Sequence, residues 1–264
     1  MSSFTSYFNS FKDNPNNISF WYPKVKDCGI KTPETYITEI PEEVLKACFM
    51  DHPLEDTDTV YTWVKDKLMP AIPETMRGLL FIKNGAYSNK FDFNTACVRY
   101  TALDIARSII EINYASLMLG TGGNSEIAIR ERIMHYDTIT PCIYHDMPLQ
   151  NEYRVFYDFD NKKALYIVNY WDWGYCHEAI SRNISDKIVY EHYYGRLLEN
   201  YEATKDSVME LVETHMQNVT ELTGIWSVDI MQANGQYWLI DMAVGHRSAY
   251  WDPVKAGVGD EYGR

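Results

Sequence analysis

Asp229 and Asp241 lie in two β-rich apolar runs, GIWSVDIM and YWLIDMAVG, joined by Asn234-Gly235. A carboxylate in such a setting needs a partner, because burying an unpaired charge is costly. Upstream, FIKNGAYSNKF carries Lys83 and Lys90, and NEYRVFY carries Arg154 inside a strand-forming run. Separated cations together with strand-borne acids suit a polyphosphate and its metal. Mg²⁺ takes oxygen ligands and keeps waters and phosphate oxygens in the rest of its shell.

Each group also has a plainer reading. Lys83 ends an apolar strand, where a charge is expensive unless paired. Asn84, Gly85, Ser88 and Asn89 behind it make a polar, flexible loop whose N–H groups suit phosphate. Equally, Lys83 and Lys90 could be surface lysines flanking a loop. No GxxxxGK[ST] phosphate loop occurs. A guanidinium at Arg154 suits bidentate contact with phosphate or carboxylate, or else a bridge across the sheet to Glu152 or a neighbouring strand. For the two acids, turn geometry decides. A regular two-residue turn at Asn234-Gly235 sets Asp229 opposite Ile240 and splits the acids between faces. A longer loop or a bulge sets Asp229 opposite Asp241 on one face. A shared metal requires the second arrangement.

Other chemistry finds less support. The seven histidines show no HxxxH or HExxH spacing, and no GxSxG elbow is present. His246 is the histidine nearest Asp241. The aromatic run YWDWGY over residues 170–175 reads as a stacking surface or a packed hairpin end.

The elements that must position these groups alternate between helix and strand. A strand is expected near Thr35–Ile40, and helices in PEEVLKACF and in DTDTVYTWVKDKL, the latter with an Asp or Thr cap. MRGLLFIKNG reads as a buried strand. FNTACVRYTALDIARSIIEINYASLML has helical spacing throughout and reads as one long helix ended by the glycines of GTGGN. SEIAIRERI reads as a strand, and residues 151–171 as a hairpin turning at Asp160-Asn161. A helical stretch over residues 186–222 is expected to break near Gly195. The first 17 residues read as a loose polar lead-in, and the end of the chain as a Gly-rich tail. The class is mixed α and β.

At 264 residues the chain has room for one large domain or two small ones. Its net charge of −13 argues against a duplex nucleic-acid binder, which needs a basic face. The five cysteines, Cys28, Cys48, Cys97, Cys142 and Cys176, are odd in number and form no CxxC pair. With no signal peptide at the N-terminus they read as reduced thiols of a cytosolic protein. No apolar run reaches membrane-span length.

Taken in order, these segments resemble the ATP-grasp superfamily. Within it they are most similar to the eukaryotic cell-division-cycle family of assembly factors for translation initiation factor two, and to a phage and viral clade named for one arginine and two lysines. FWYPKVKDCGIKTPETYITEIPEE resembles the opening Trp-Tyr-Pro segment and lysine-rich strand. FIKNGAYSNKFDF resembles the phosphate-binding lysine strand and loop, and SEIAIRERI the adenine hinge. NEYRVFYDF is similar to the Glu-aromatic-Arg strand, and VDIMQANGQYWLIDMAVG to the metal-binding hairpin. The likeness spans residues 18–252.

The resemblance implies an α+β ATP-grasp fold whose two halves clasp ATP, preceded by a small α/β segment. Residues 1–77 would be the N-terminal part and residues 78–264 the nucleotide-binding domain. It implies ATP and Mg²⁺ as cofactors. Lys83 and Lys90 would hold the phosphates. The backbone of Arg130, Glu131, Arg132 and Ile133 would read adenine, with Glu131 on the ribose. Lys90 and Arg154 would be catalytic on the phosphoryl group, and Asp229 and Asp241 would bind Mg²⁺. The implied activity is a ligase that joins a carboxylate to an amine through an acyl-phosphate. Its substrates would include a peptide or protein, with no nucleic acid and no membrane, in the cytoplasm or a host's cytoplasm. The alternative is an ATP- and Mg²⁺-binding assembly factor that ligates nothing. A protein without a nucleotide site is a third reading. One departure matters: the family's acid-x-Asn at the end of the metal hairpin reads Asp241-Met242-Ala243 here, so His246, Asp252 or water would have to replace the Asn.

Overall fold

Residues 12–49, 57–120, 124–135 and 140–259 are described by a computed structural model of the chain. Two compact units emerge. The first comprises Met1–Ser19, Pro33–Ile133 and Tyr144–Met147; the second comprises Phe20–Thr32, Met134–Ile143 and Pro148–Arg264. Each holds one four-stranded antiparallel sheet with helices, so the mixed α+β class holds. The N-terminal helix α1 (Ile18–Val25) precedes the first strand.

The first unit's sheet is ordered β1-β4-β2-β3, with β1 at Thr35–Glu39, β2 at Leu79–Asn84, β3 at Cys97–Arg99 and β4 at Glu126–Glu131. Leu80 and Ile82 on β2 and Ile127 and Ile129 on β4 pack into a core with helices α2 (Glu42–Ala47), α3 (Thr57–Trp63) and α4 (Ala102–Met118). Val44, Leu45, Val60, Ile105 and Ile109 fill it. Burial of this aliphatic set is the main favourable term for the unit, at roughly 1.5–3 kcal/mol per fully buried side chain. Because side chains alternate across a strand, the residues between those core positions point to the opposite face.

One expected element is corrected. The helix read over residues 93–119 is divided: a single turn at Phe93–Ala96 gives way to the edge strand β3, and α4 starts only at Ala102. The side chain of Thr101 accepts a hydrogen bond from the Asp104 N–H at 3.1 Å, an N-cap that fixes this start. Upstream of it, residues 97–99 gain more by pairing with β2, Leu80 opposite Val98, than by extending the helix. Gly120 ends α4 in the left-handed conformation at φ 69°. The polar lead-in over residues 1–11, a cap at Asp56, the glycines Gly122 and Gly123, and the last residues of the tail, 260–264, lie outside the described residues.

Short strands β5 (Cys142–Ile143) and β6 (Met147–Pro148) precede the second unit's sheet. That sheet is ordered β10-β9-β7-β8, from β7 (Glu152–Asp158), β8 (Lys163–Asn169), β9 (Ile225–Ala233) and β10 (Gln236–Val244). Helices α5 (Trp173–Ile180) and α6 (Ile184–Met216) lie between β8 and β9 in sequence. Asn183 caps α6 by accepting from the Ser185 and Asp186 N–H groups. The break expected at Gly195 is absent: α6 runs through it, because one exposed glycine costs a helix only about 1 kcal/mol. α6 covers the face carrying Tyr153, whose hydroxyl lies 2.6 Å from that of Thr204. The Tyr201 hydroxyl donates to the Ile167 carbonyl at 3.2 Å. The other face of β7 therefore carries Arg154 and Phe156. Phe156 stacks on Tyr166 and meets Trp251, ahead of the short closing helix α7 (Pro253–Ala256). Among the described residues no helix is long and apolar enough to cross a membrane.

Candidate functional site

The closing hairpin combines both geometries that the sequence left open. Its turn is the two-residue Asn234-Gly235, with φ of 52° and 70°. Both values are left-handed, as the mirror-image hairpin turn requires, and Asn-Gly is the pair that tolerates them. Pairing is regular from Gln236–Ala233 to Leu239–Ile230, then shifts by one residue, so that Asp241 and not Ile240 lies opposite Asp229. Ile240 is the extra residue of a β-bulge. One added residue returns the two carboxylates to one face, where directly opposed Cβ atoms lie about 4.5–5.5 Å apart.

Arg154 completes this group. It is the register partner of Asp229 across β7 and β9. Its Nε and one terminal nitrogen each donate to a different Asp229 oxygen at 2.7 Å. The other terminal nitrogen donates to the Ala249 carbonyl at 3.2 Å, and the Tyr170 ring lies 5.1 Å from the guanidinium carbon. The Arg154 and Asp229 side chains are 11% and 8% exposed. Burial disfavours the Arg154 charge, but the Asp229 carboxylate outweighs that penalty, with Tyr170 and Asp241 adding to it. The guanidinium is held above its usual pKa. Asp241 is half-buried and accepts from the Met242 N–H at 3.1 Å.

The donor chemistry fits Mg²⁺ in part. Two carboxylates on one face are the protein half of a shell that water and phosphate oxygens complete. Among the described residues no group of three His, Cys, Asp or Glu could hold a metal. Ala243 pairs with Ser227 and offers no ligand. Asp252, one of the possible replacements for the absent Asn, caps α7 by accepting from the Val254 and Lys255 N–H groups at 3.0 and 3.2 Å. His246 sits in the single turn Gly245–Arg247 that follows β10.

In the first unit, Lys83 is 2% exposed and pairs with Ala128 on the face away from the aliphatic core. Arg130, 3% exposed, shares that face opposite Phe81, and its Nε donates to the Thr35 hydroxyl at 3.1 Å. Lys90 begins a single turn at Lys90–Asp92. The start of the loop between the lysines is tied by hydrogen bonds. The Asn84 carboxamide accepts from the Ala86 and Tyr87 N–H groups at 3.2 and 2.7 Å. The Gly85 N–H donates to the Glu126 carbonyl. A Cβ at Gly85 would stand 2.3 Å from the Asn124 amide, so only glycine fits. Among the described residues the Ser88 and Asn89 N–H groups make no backbone hydrogen bond.

At the strand end the Glu131 N–H donates to the Glu34 carbonyl and the Arg132 N–H to the Leu79 carbonyl. Among the described residues the Ile133 N–H makes no such bond. Glu131 is exposed. Sequence reasoning missed two groups. Tyr170, seen only as part of an aromatic run, faces Arg154. His145 lies 2.8 Å from the Asp92 carboxylate beside Lys90. Neither has a spacing signal, because each meets its partner through the fold.

No family model matches the sequence, and no curated protein matches it. Solved structures do resemble the fold. A C-terminally truncated Cdc123 from Schizosaccharomyces pombe is 16% identical with a TM-score of 0.55, over 91% of this chain and 90% of that one. A second structure of Cdc123 from that organism is 16% identical with a TM-score of 0.52, over 94% and 92%. A D-alanine–D-alanine ligase from Bacillus anthracis complexed with ATP is 12% identical with a TM-score of 0.43, over 91% and 58%. The likeness to Cdc123 is one of fold.

Proposed function

We propose that this protein binds ATP with Mg²⁺ and uses it to join a carboxylate to an amine. A substrate carboxylate oxygen takes the γ-phosphoryl group and ADP leaves. The amine then attacks the acyl carbon, phosphate leaves, and the amine proton passes to solvent. In this reading Lys83 and Lys90 hold the phosphates, and Arg130, Glu131, Arg132 and Ile133 lie along the adenosine. Lys90 and Arg154 neutralise charge on the phosphoryl group in flight, the largest service a protein performs in such transfers. Asp229 and Asp241 hold the metal, which when bound screens the phosphate oxygens. The observation that carries the reading is the bulge that sets Asp241 opposite Asp229 beside a buried Arg154. Its test is ADP release that depends on an added carboxylate and amine, with a peptide among the carboxylates tried.

A second reading has two observations in its favour. Ala243 stands where a third oxygen ligand is expected, and Asp229 already spends both oxygens on Arg154. A site so furnished suits ATP and Mg²⁺ binding without ligation, in an assembly factor that acts through a protein partner. ATP binding without ADP release in the presence of any carboxylate and amine pair selects this reading.

A further inference from the structure

The second unit has a polar cavity of about 180 Å³ on the α6 side of its sheet, the side opposite Arg154 and Asp229. Tyr193, Arg196 and Asn200 line it from α6 at spacings of three and four, which put them on one helix stripe. Gln232 near the end of β9, and Gln150 and Asn151 just before β7, line it from the sheet. Arg196 has no acidic partner among the described residues. Its one recorded contact is the Tyr193 ring, 5.6 Å away. The Asn200 carboxamide makes no hydrogen bond among the described residues. The Asn151 amide donates to the Gln232 side-chain oxygen at 3.5 Å, and the Gln150 amide to the Thr140 hydroxyl at 3.2 Å. These bonds leave the Gln232 amide nitrogen and the Asn151 and Gln150 oxygens for a ligand.

We propose that this cavity binds the carboxy-terminus of a peptide. A guanidinium fork matches a carboxylate. A carboxamide offers both a donor and an acceptor, the pair that a peptide bond requires. The volume lies below the ~300 Å³ at which drug-sized sites begin, so it takes a terminal residue and the amide behind it. The Tyr193 ring already faces Arg196, so it gives a nucleobase no free stacking platform. The site lies on the other face of the sheet from Arg154, so it recognises a peptide without reacting with it and stands independently of the nucleotide reading.

The test is an NMR titration of the full ¹⁵N-labelled chain with N-acetyl-dialanine as the free acid and as its C-terminal amide. The free acid should shift the side-chain amides of Asn200 and Gln232, and the amide form should bind about tenfold more weakly. Arg196→Gln, at an exposed helical position, should abolish that difference, and Asn200→Leu should weaken both forms. No shift with millimolar free acid overturns the proposal, as does equal binding of acid and amide. Full displacement by equimolar inorganic phosphate also overturns it, by showing a plain anion site.

Discussion

Arg154 and Asp229 are register partners on adjacent strands, and two 2.7 Å hydrogen bonds join them in a bidentate pair. The pair is buried, so each charge depends on the other. Arg154→Ala should destabilise the chain by about 3 kcal/mol, because it strands a buried carboxylate. Arg154→Met combined with Asp229→Leu should recover most of that loss. Urea unfolding of the three proteins checks both statements. A single variant within about 0.5 kcal/mol of the parent would show that water reaches Asp229 freely.

Asp241 is half-buried, more open to water than Asp229. Asp241→Asn should therefore leave unliganded stability nearly unchanged while raising the Mg²⁺ concentration needed for ATP to protect the fold, by about tenfold. A Mg²⁺ titration at fixed ATP reads this directly. An unchanged titration removes Asp241 from the metal site.

Lys83 and Arg130 are both buried cations of the first sheet. Lys83→Met keeps most of the aliphatic stem in place and removes only the charge. The variant should fold with a melting temperature close to the parent's and lose most of the ATP-induced rise. Retention of the full rise would assign Lys83 to the architecture of its sheet.

How much could be read in advance depends on the range of each signal. The Asn234-Gly235 turn, the buried strands and the Thr35 strand are local patterns, and the structure has them where those patterns lie. The bulge at Ile240 leaves no mark in sequence, because an inserted residue looks like any other apolar position. The partner of Arg154 is 75 residues away, and only strand order and register select it. Edge strand β3 was hidden because helical spacing continues through it; pairing with β2 overrode propensity there. At Gly195 the local signal points the other way: the glycine penalty is about 1 kcal/mol, too small to break a helix of this length.

Gly195 gives a prediction of its own. It is helical and exposed, and a Cβ there meets nothing within 4 Å. Gly195→Ala should stabilise the chain by about 0.5–1 kcal/mol by reducing the freedom of the unfolded chain. A lower unfolding midpoint in this variant would mean that α6 needs its glycine for a contact outside the described residues.

The most direct test of the central claim is the melting temperature of the full chain with ATP, in the presence and absence of Mg²⁺ and beside ADP and GTP. A ligand bound only by the folded state adds about 2.7 kcal/mol at a hundredfold excess over Kd. The account predicts a clear rise with ATP that grows when Mg²⁺ is added and exceeds that with GTP. No rise at millimolar ATP, with or without Mg²⁺, would contradict it and leave the likeness one of fold alone.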